Sequence, residues 1–211
     1  MSLDFDSARL PNIHLKPEHH EWRAQLRRFF DREVIPFAAQ WDEDGCIPDE
    51  LWPKSAAVGI LGLGFPEEFG GVSEGVDVWH SIILNEEMAR VAVGGVGATL
   101  MVHGIGLPPV INFASDEVKQ MVAPPVLAGT KRISLAITEP GAGSDVAHLK
   151  TTARLEGDHY VVNGSKTYIT GGMNANWYTT AVRTGGEGAG GVSTLLIPAD
   201  AEGVSRTALD K

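Results

Sequence analysis

Two stretches of the chain carry residue types and spacings that could do chemistry. The first is AITEPGAGSDVAHL, residues 136–149, which follows directly on the apolar run ISLAIT. Pro140 has no N–H and ends strand pairing there. Gly141 and Gly143 permit positive φ and close approach of backbone. Successive amides in such a turn form a concave nest for an anion, and Ser144 adds a hydroxyl. Asp145 is placed to accept hydrogen bonds from the turn's own amides. The loop alone therefore reads either as an anion cradle or as a plain connection between strands pinned by Asp145.

The second stretch, NGSKTYITGG over residues 163–172, bears on that choice. Read as a strand, it places Tyr168 and Thr170 on one face, while Thr138 ends another strand of the same domain. Hydroxyls and amides at strand ends suit a planar ring with a polar edge, and Tyr168 suits its apolar face. A flavin has that shape, and hydrogen bonds at its N5 and near N1 are the protein's means of tuning it.

Other motifs do not reach this level. GILGLGF and GGVGATL approach a dinucleotide-binding pattern, but neither follows a strand and opens a helix. Ser144 has Ala142 where a nucleophile elbow needs glycine. His19 and His20 are adjacent and so point to different helix faces, which reads as solvated surface rather than a shared metal. His80, His103 and His159 are isolated and read as packing or surface residues. Glu86 and Glu87 read as a charged helix face with Arg90 four residues after Glu86. Cys46 has no activating neighbour. Asn163-Gly164-Ser165 is formally a glycosylation triplet and reads better as a hairpin turn.

The elements that must position these groups change character near residue 130. Up to there the pattern is helical. Pro17 opens a helix whose apolar stripe is Trp22, Leu26, Phe29, Phe30 and Val34, and Pro36 kinks or ends it. PDELWPKSAAVG is a short helix closed by Gly59. DVWHSIILNEEMARVAV is a third. ATLMVHGIGLPPVINFA reads as buried helix broken at Gly104 to Gly106. Ser115 is the N-cap of a last helix. From residue 131, RISLAIT, LKTTARLE, HYVVNG, SKTYITG, NWYTTAVR and VSTLLIPA are rich in Val, Ile, Thr and Tyr. Gly157-Asp158 and Asn163-Gly164 are hairpin signals, and RTGGEGAGGVS reads as a flexible hairpin loop. The expected class is α+β: an all-helical domain over residues 1–130, then an antiparallel β-sandwich or open barrel over residues 131–211.

Bulk properties set the frame. The chain has 211 residues, is 43% hydrophobic and carries a net charge of −10. It can bury a core, and the acidic balance argues against nucleic acid or an anionic membrane as partner. One cysteine excludes an intrachain disulfide and a cysteine-built zinc site. No apolar run approaches the roughly 20 residues of a membrane span. The N-terminus lacks signal- and transit-peptide layouts, so the expected location is the cytoplasm. The chain stops at VSRTALDK soon after a strand, leaving an open sheet edge, and reads as the front part of a longer protein.

AITEPGAGSDVAHLKTTA followed by VVNGSKTYITGGMNANWY resembles the acyl-CoA dehydrogenases, segment by segment and in order. ELWPKSAAVGILGLGFPEEFGG, NEEMAR and SDEVKQ resemble that family's helical N-terminal domain, so the likeness covers essentially the whole chain. It implies an FAD-dependent α,β-dehydrogenation of an acyl-CoA thioester. Leu135, Ile137 and Thr138 would contact the flavin ring, Thr138 near its pyrimidine edge. Gly143 and Ser144 would serve the FAD diphosphate and the CoA side of the substrate. Tyr168, with Ile169, would cover one ring face, and Thr170 would bond near N5. Thr99, Leu100 and Met101 would line the acyl pocket or simply belong to the core. The implied partners are acyl-CoA, an electron-transfer flavoprotein and further copies of the chain, as dimer or tetramer. His148 stands where the family usually has Gly, Ser or Ala. The family's third domain, a helical bundle bearing the catalytic glutamate, has no counterpart here. The catalytic base is therefore expected beyond Lys211, and the chain by itself is expected to be inactive. The alternatives are an acyl-CoA oxidase of the same fold and an FAD-free binding module.

Overall fold

A computed structural model describes residues 12–209. It divides into two compact units. One holds residues up to 101 together with 123–130, and the other holds 102–122 together with the chain from 131 onward.

The first unit is helical. Helix α1, Pro17–Phe29, starts at its proline and runs into a π-helical turn, Phe30–Val34. There Ile35 N–H donates to Phe30 O, five residues back, at 2.8 Å. Pro36 lacks the amide needed to continue, and α2, Ala38–Asp44, starts afresh. Helix α3, Leu51–Ala57, is closed by Gly59 at φ +86°, a left-handed conformation that glycine takes at no steric cost. Helices α4, Val78–Ala89, and α5, Gly94–Leu100, follow. The stripe on α1 is buried as its spacing requires. Leu26, Phe29, Phe30 and Val34 meet Ile83 and Leu84 of α4, Leu51 and Trp52 of α3, and Leu100 of α5 in one core.

Two features of this unit differ from expectation. Glu87 is fully buried, not part of a solvated face. It accepts from Arg23 Nη1 at 3.1 Å, Arg27 Nε at 3.0 Å and Nη2 at 2.9 Å, and Arg90 Nη1 at 3.3 Å. Burial pushes its carboxyl up, but the hydrogen bonds and charges of these arginines outweigh that and hold it below the ordinary range. Glu86 pairs with Arg23 at 2.6 Å. His19 is also buried, not solvated. Its Nδ1 accepts from Lys16 N–H at 3.0 Å, and His80 Nδ1 accepts from Asp77 N–H at 3.2 Å. Both histidines thus reach back one turn to the residue before their own helix, as capping-box residues do. His19 Nε2 then donates to Asp77 Oδ1 at 3.0 Å. His19, Asp77 and His80 are close enough to share a cation. The amide bonded to His19 Nδ1, however, leaves its proton on Nε2, the atom that would have to ligate. The cluster serves as a joint helix cap.

The second unit contains α6, His103–Gly106, α7, Pro108–Phe113, most of α8, Asp116–Leu127, and a single open sheet. Ser115 caps α8, its hydroxyl accepting from Val118 N–H at 3.4 Å. Ile105 and Phe113 are exposed, so the α6–α7 stretch is not buried on all sides. Among the described residues, no single helix is long and apolar enough to cross a membrane. The strands are β1, Ile133–Ala136, β2, Thr152–Glu156, β3, His159–Asn163, β4, Trp177–Arg183, and β5, Val192–Pro198. The sheet is open, as expected, but mixed where antiparallel neighbours alone were expected. β2–β3 and β4–β5 are antiparallel, while β1 and β2 both run parallel to β4. Gly157-Asp158 turns the β2–β3 hairpin. Asn163-Gly164 turns no hairpin, because β3 ends there and the expected strand SKTYITG is irregular instead.

Candidate functional site

The mixed pairing creates the site. Along β4 the register passes from Ala136↔Thr180 to Thr152↔Arg183. Residues 137–151 are therefore an excursion from one sheet edge, opposite only Ala181 and Val182 of β4. The TEPGAGSD loop does not join two neighbouring strands; it bulges out between two parallel strands that share a partner.

A tight turn opens the excursion. Glu139 N–H donates to Ala142 O at 2.8 Å and Ala142 N–H donates back at 3.1 Å, across Pro140 and Gly141. A carboxylate closes it. Glu139 is 7% exposed and accepts from Lys150 N–H at 2.6 Å and Thr151 N–H at 2.9 Å, where the chain rejoins the sheet. Lys166 Nζ donates to Glu139 Oε1 at 2.8 Å and to Ile137 O at 2.9 Å. Burial pushes the Glu139 carboxyl up, but the bonds from Lys166, Thr151 and Lys150 prevail and bring it down to about 2. Arg183 at the end of β4 holds the far side of the loop, donating to Leu149 O at 3.1 Å and Ala147 O at 2.7 Å.

The second stretch lies along the excursion without pairing as a strand. Thr167 N–H donates to Thr138 O at 2.9 Å, and Ser134 Oγ donates to Thr170 O at 2.8 Å. Gly172 N–H bonds Ile169 O at 2.9 Å, and Tyr178 Oη donates to Gly172 O at 2.5 Å. Between these anchors Tyr168 takes φ +57° with its side chain largely in solvent, at 73% exposure. A non-glycine residue in that region costs about 1–2 kcal/mol, and such strain collects at functional positions. The shared strand face expected for Tyr168 and Thr170 is therefore replaced by a pinned, kinked segment.

Leu135, Ile137, Thr138, Ile169 and Thr170 are brought together by these bonds, all partly or fully open to solvent. Gly143 and Ser144 lie further along the excursion and are exposed. The amides of Gly141, Gly143 and Ser144 donate to no group among the described residues, and neither does that of Thr138. Asp145 does not pin the turn amides. Its carboxylate instead meets His148 Nδ1 at 2.6 Å on the exposed rim. Thr99, Leu100 and Met101 lie in the first unit, at the end of α5. Leu100 is part of the helical core and Met101 packs against it.

This arrangement offers open amide donors, hydroxyls and an exposed aromatic face beside an uncluttered glycine turn. A Cβ at Gly141 would meet nothing within 4 Å, and one at Gly143 would approach only Thr138 Cγ2 at 3.7 Å. That set fits a planar, polar-edged ring carrying an anionic tail. The Glu139–Lys166 buckle went unread in the sequence, although both partners sit in the quoted motifs, TEP and NGSK.

Comparison with known proteins gives the same direction. Residues 16–130 match the family model described as acyl-CoA dehydrogenase, N-terminal domain, and residues 134–211 match acyl-CoA dehydrogenase, middle domain. An acyl-CoA dehydrogenase of Alternaria alternata is 34% identical, over 96% of this chain and 50% of its own length. A probable acyl-CoA dehydrogenase from Mycobacterium abscessus superposes with a TM-score of 0.86 at 48% identity, covering 93% of this chain and 52% of the other. An acyl-CoA dehydrogenase from Bacillus anthracis, solved in complex with FAD, superposes with a TM-score of 0.80 at 30% identity, covering 96% of this chain and 34% of the other. The chain spans about half the length of the curated relatives it matches.

Proposed function

The chain belongs to the acyl-CoA dehydrogenase family, and on that premise we propose that it holds FAD for the α,β-dehydrogenation of an acyl-CoA thioester. The observation that carries this reading is the pinned pair of segments, residues 135–138 and 166–172, with an unengaged Thr138 amide and an exposed, strained Tyr168 between them. FAD, when bound, supplies the hydride acceptor for the substrate β-hydrogen. Thr138 and Thr170 would present donors to its ring, Tyr168 and Ile169 would cover one face, and the open amides of Gly141, Gly143 and Ser144 would receive an anionic tail.

The α-proton needs a different group. Glu139 is the carboxylate nearest the cradle's corner, yet its oxygens are occupied by three donors and its pKa is about 2. A general base works best with a pKa near the operating pH, so Glu139 is a structural carboxylate. We assign the base to a carboxylate outside residues 1–211. Transfer of electrons to an electron-transfer flavoprotein, and assembly as a dimer or tetramer, belong to the same proposal for the whole protein.

Uptake of FAD tests the reading. The purified chain mixed with FAD is expected to retain flavin absorbance through gel filtration. A protein that stays colourless at saturating FAD overturns it.

A further inference from the structure

The Glu139–Lys166 pair does more than close a loop. Lys166 Nζ bonds the Ile137 carbonyl at 2.9 Å, and that carbonyl belongs to the same peptide unit as the Thr138 N–H. No described residue accepts from the Thr138 amide, so it is a donor held open at the edge of the cradle. A cation bonded to the oxygen of a peptide draws electron density toward that end and makes its N–H a stronger donor. Lys166 is itself nearly buried, with a side chain 11% exposed, and Glu139 balances its charge at 2.8 Å. Charges in such a site are weakly screened and act over short range on whatever the cradle holds.

We propose that Lys166 and Glu139 are positioning residues that set the strength of the Thr138 donor and the local field, and thereby the reduction potential of the bound flavin. The inference rests on the flavin reading of the cradle. It follows from the geometry that the two residues act with opposite sign. Reduction adds negative charge to the ring, which a cation and a strengthened donor favour and an unbalanced carboxylate opposes. Removing the Lys166 charge leaves Glu139 uncompensated and weakens the donor, so the potential falls. Removing the Glu139 charge leaves Lys166 uncompensated, so the potential rises.

The experiment compares the full chain with Lys166→Gln, Lys166→Met, Glu139→Gln and the Glu139→Gln/Lys166→Met double variant. FAD affinity is read by quenching of flavin fluorescence. The potential of the bound flavin is read by equilibration with redox dyes during anaerobic dithionite reduction. Lys166→Gln keeps a donor to Ile137 O without the charge and carries the test where Lys166→Met does not fold. The expected result is a lower potential in both Lys166 variants, a higher one in Glu139→Gln and an intermediate one in the double variant. FAD affinity is expected to fall about tenfold in Lys166→Met, as for loss of one charge-assisted hydrogen bond. A purely structural buckle would lower affinity in every variant and leave the potentials alone, or move them all the same way. Either pattern, in protein that still binds FAD, overturns the inference while the flavin cradle stands. A wild-type chain that takes up no FAD overturns the cradle and the inference with it.

Discussion

At the scale of single residues, Glu139 and Tyr168 show two different uses of unfavourable states. Glu139 is a carboxylate taken out of water and made tolerable by three donors, and breaking such a set leaves a buried charge alone. Its folded pKa of about 2 lies below its ordinary value of 4.5. The stability it contributes is therefore present above pH 4.5 and is lost as pH falls toward 2. The depression corresponds to a contribution on the order of 3 kcal/mol. Urea unfolding across pH is expected to show this acid limb shrink in Glu139→Gln, with the variant less stable than wild type at pH 7. Tyr168 stores strain instead. Tyr168→Gly is expected to leave the fold unharmed or gain up to about 1 kcal/mol by relieving the positive φ, while weakening FAD binding. The thermal midpoint would hold or rise while flavin affinity falls, and a loss of both would show that Tyr168 is a packing residue.

At the scale of elements, Glu87 fastens α1 to α4. The sequence doublet Glu86-Glu87 reads as surface, but Ile83 and Leu84 are both buried. Adjacent positions differ by about 100° around a helix, given its 3.6-residue turn, so a wide buried face captures one of the two acids. Glu87→Ala is expected to destabilise by about 3 kcal/mol, because Arg23, Arg27 and Arg90 all lose a buried acceptor, with Arg23 keeping Glu86 and Arg90 keeping Asp31. Glu86→Ala, at a partly exposed ion pair, is expected to cost about 1 kcal/mol or less. Denaturant unfolding of the two variants compares them directly. The histidine caps of α1 and α4 escaped sequence reasoning because they use His where the familiar box has Glu or Gln. Strands β1 to β5 were legible from Val, Ile and Thr content, and Gly157-Asp158 from its turn chemistry. SKTYITG has the same composition and is no strand. Its backbone groups are spent on Thr138 and Ser134, and Tyr168 in the left-handed region cannot extend a ladder. Gly164 looked like a turn residue, yet it is required by close approach. A Cβ there would lie 2.3 Å from Thr151 Oγ1 and 2.6 Å from Thr151 Cβ. Gly164→Ala is expected to cost about 1–3 kcal/mol and to loosen the segment leading to Lys166. The midpoint of thermal unfolding should fall by several degrees, about 2–4 °C per kcal/mol at this size.

At the scale of the whole molecule, the sequence motifs were better guides to which two segments meet than to the sheet that joins them. TEPGAGSD and KTYITGG were paired from their chemistry, and the structure joins them through Lys166, Thr167 and Ser134. What composition does not encode is that β1 and β2 share one partner strand, because parallel register depends on where a loop rejoins the sheet. That excursion places Ile137 and Thr138 outside the strands and locks the corner carboxylate in an ion pair. In the proposed function, the electron acceptor and the proton acceptor come from different parts of the protein. The curated relative from Alternaria alternata runs to about twice the length of this chain. On the proposed function, FAD bound to residues 1–211 should be reduced by dithionite but not by an acyl-CoA, because nothing in the cradle takes the α-proton at neutral pH. Anaerobic absorbance titration checks this. Bleaching of the flavin by acyl-CoA in this chain would place a working base within it, and Glu139→Gln, which removes that carboxylate, would then be the first variant to ask whether the corner acid is that base.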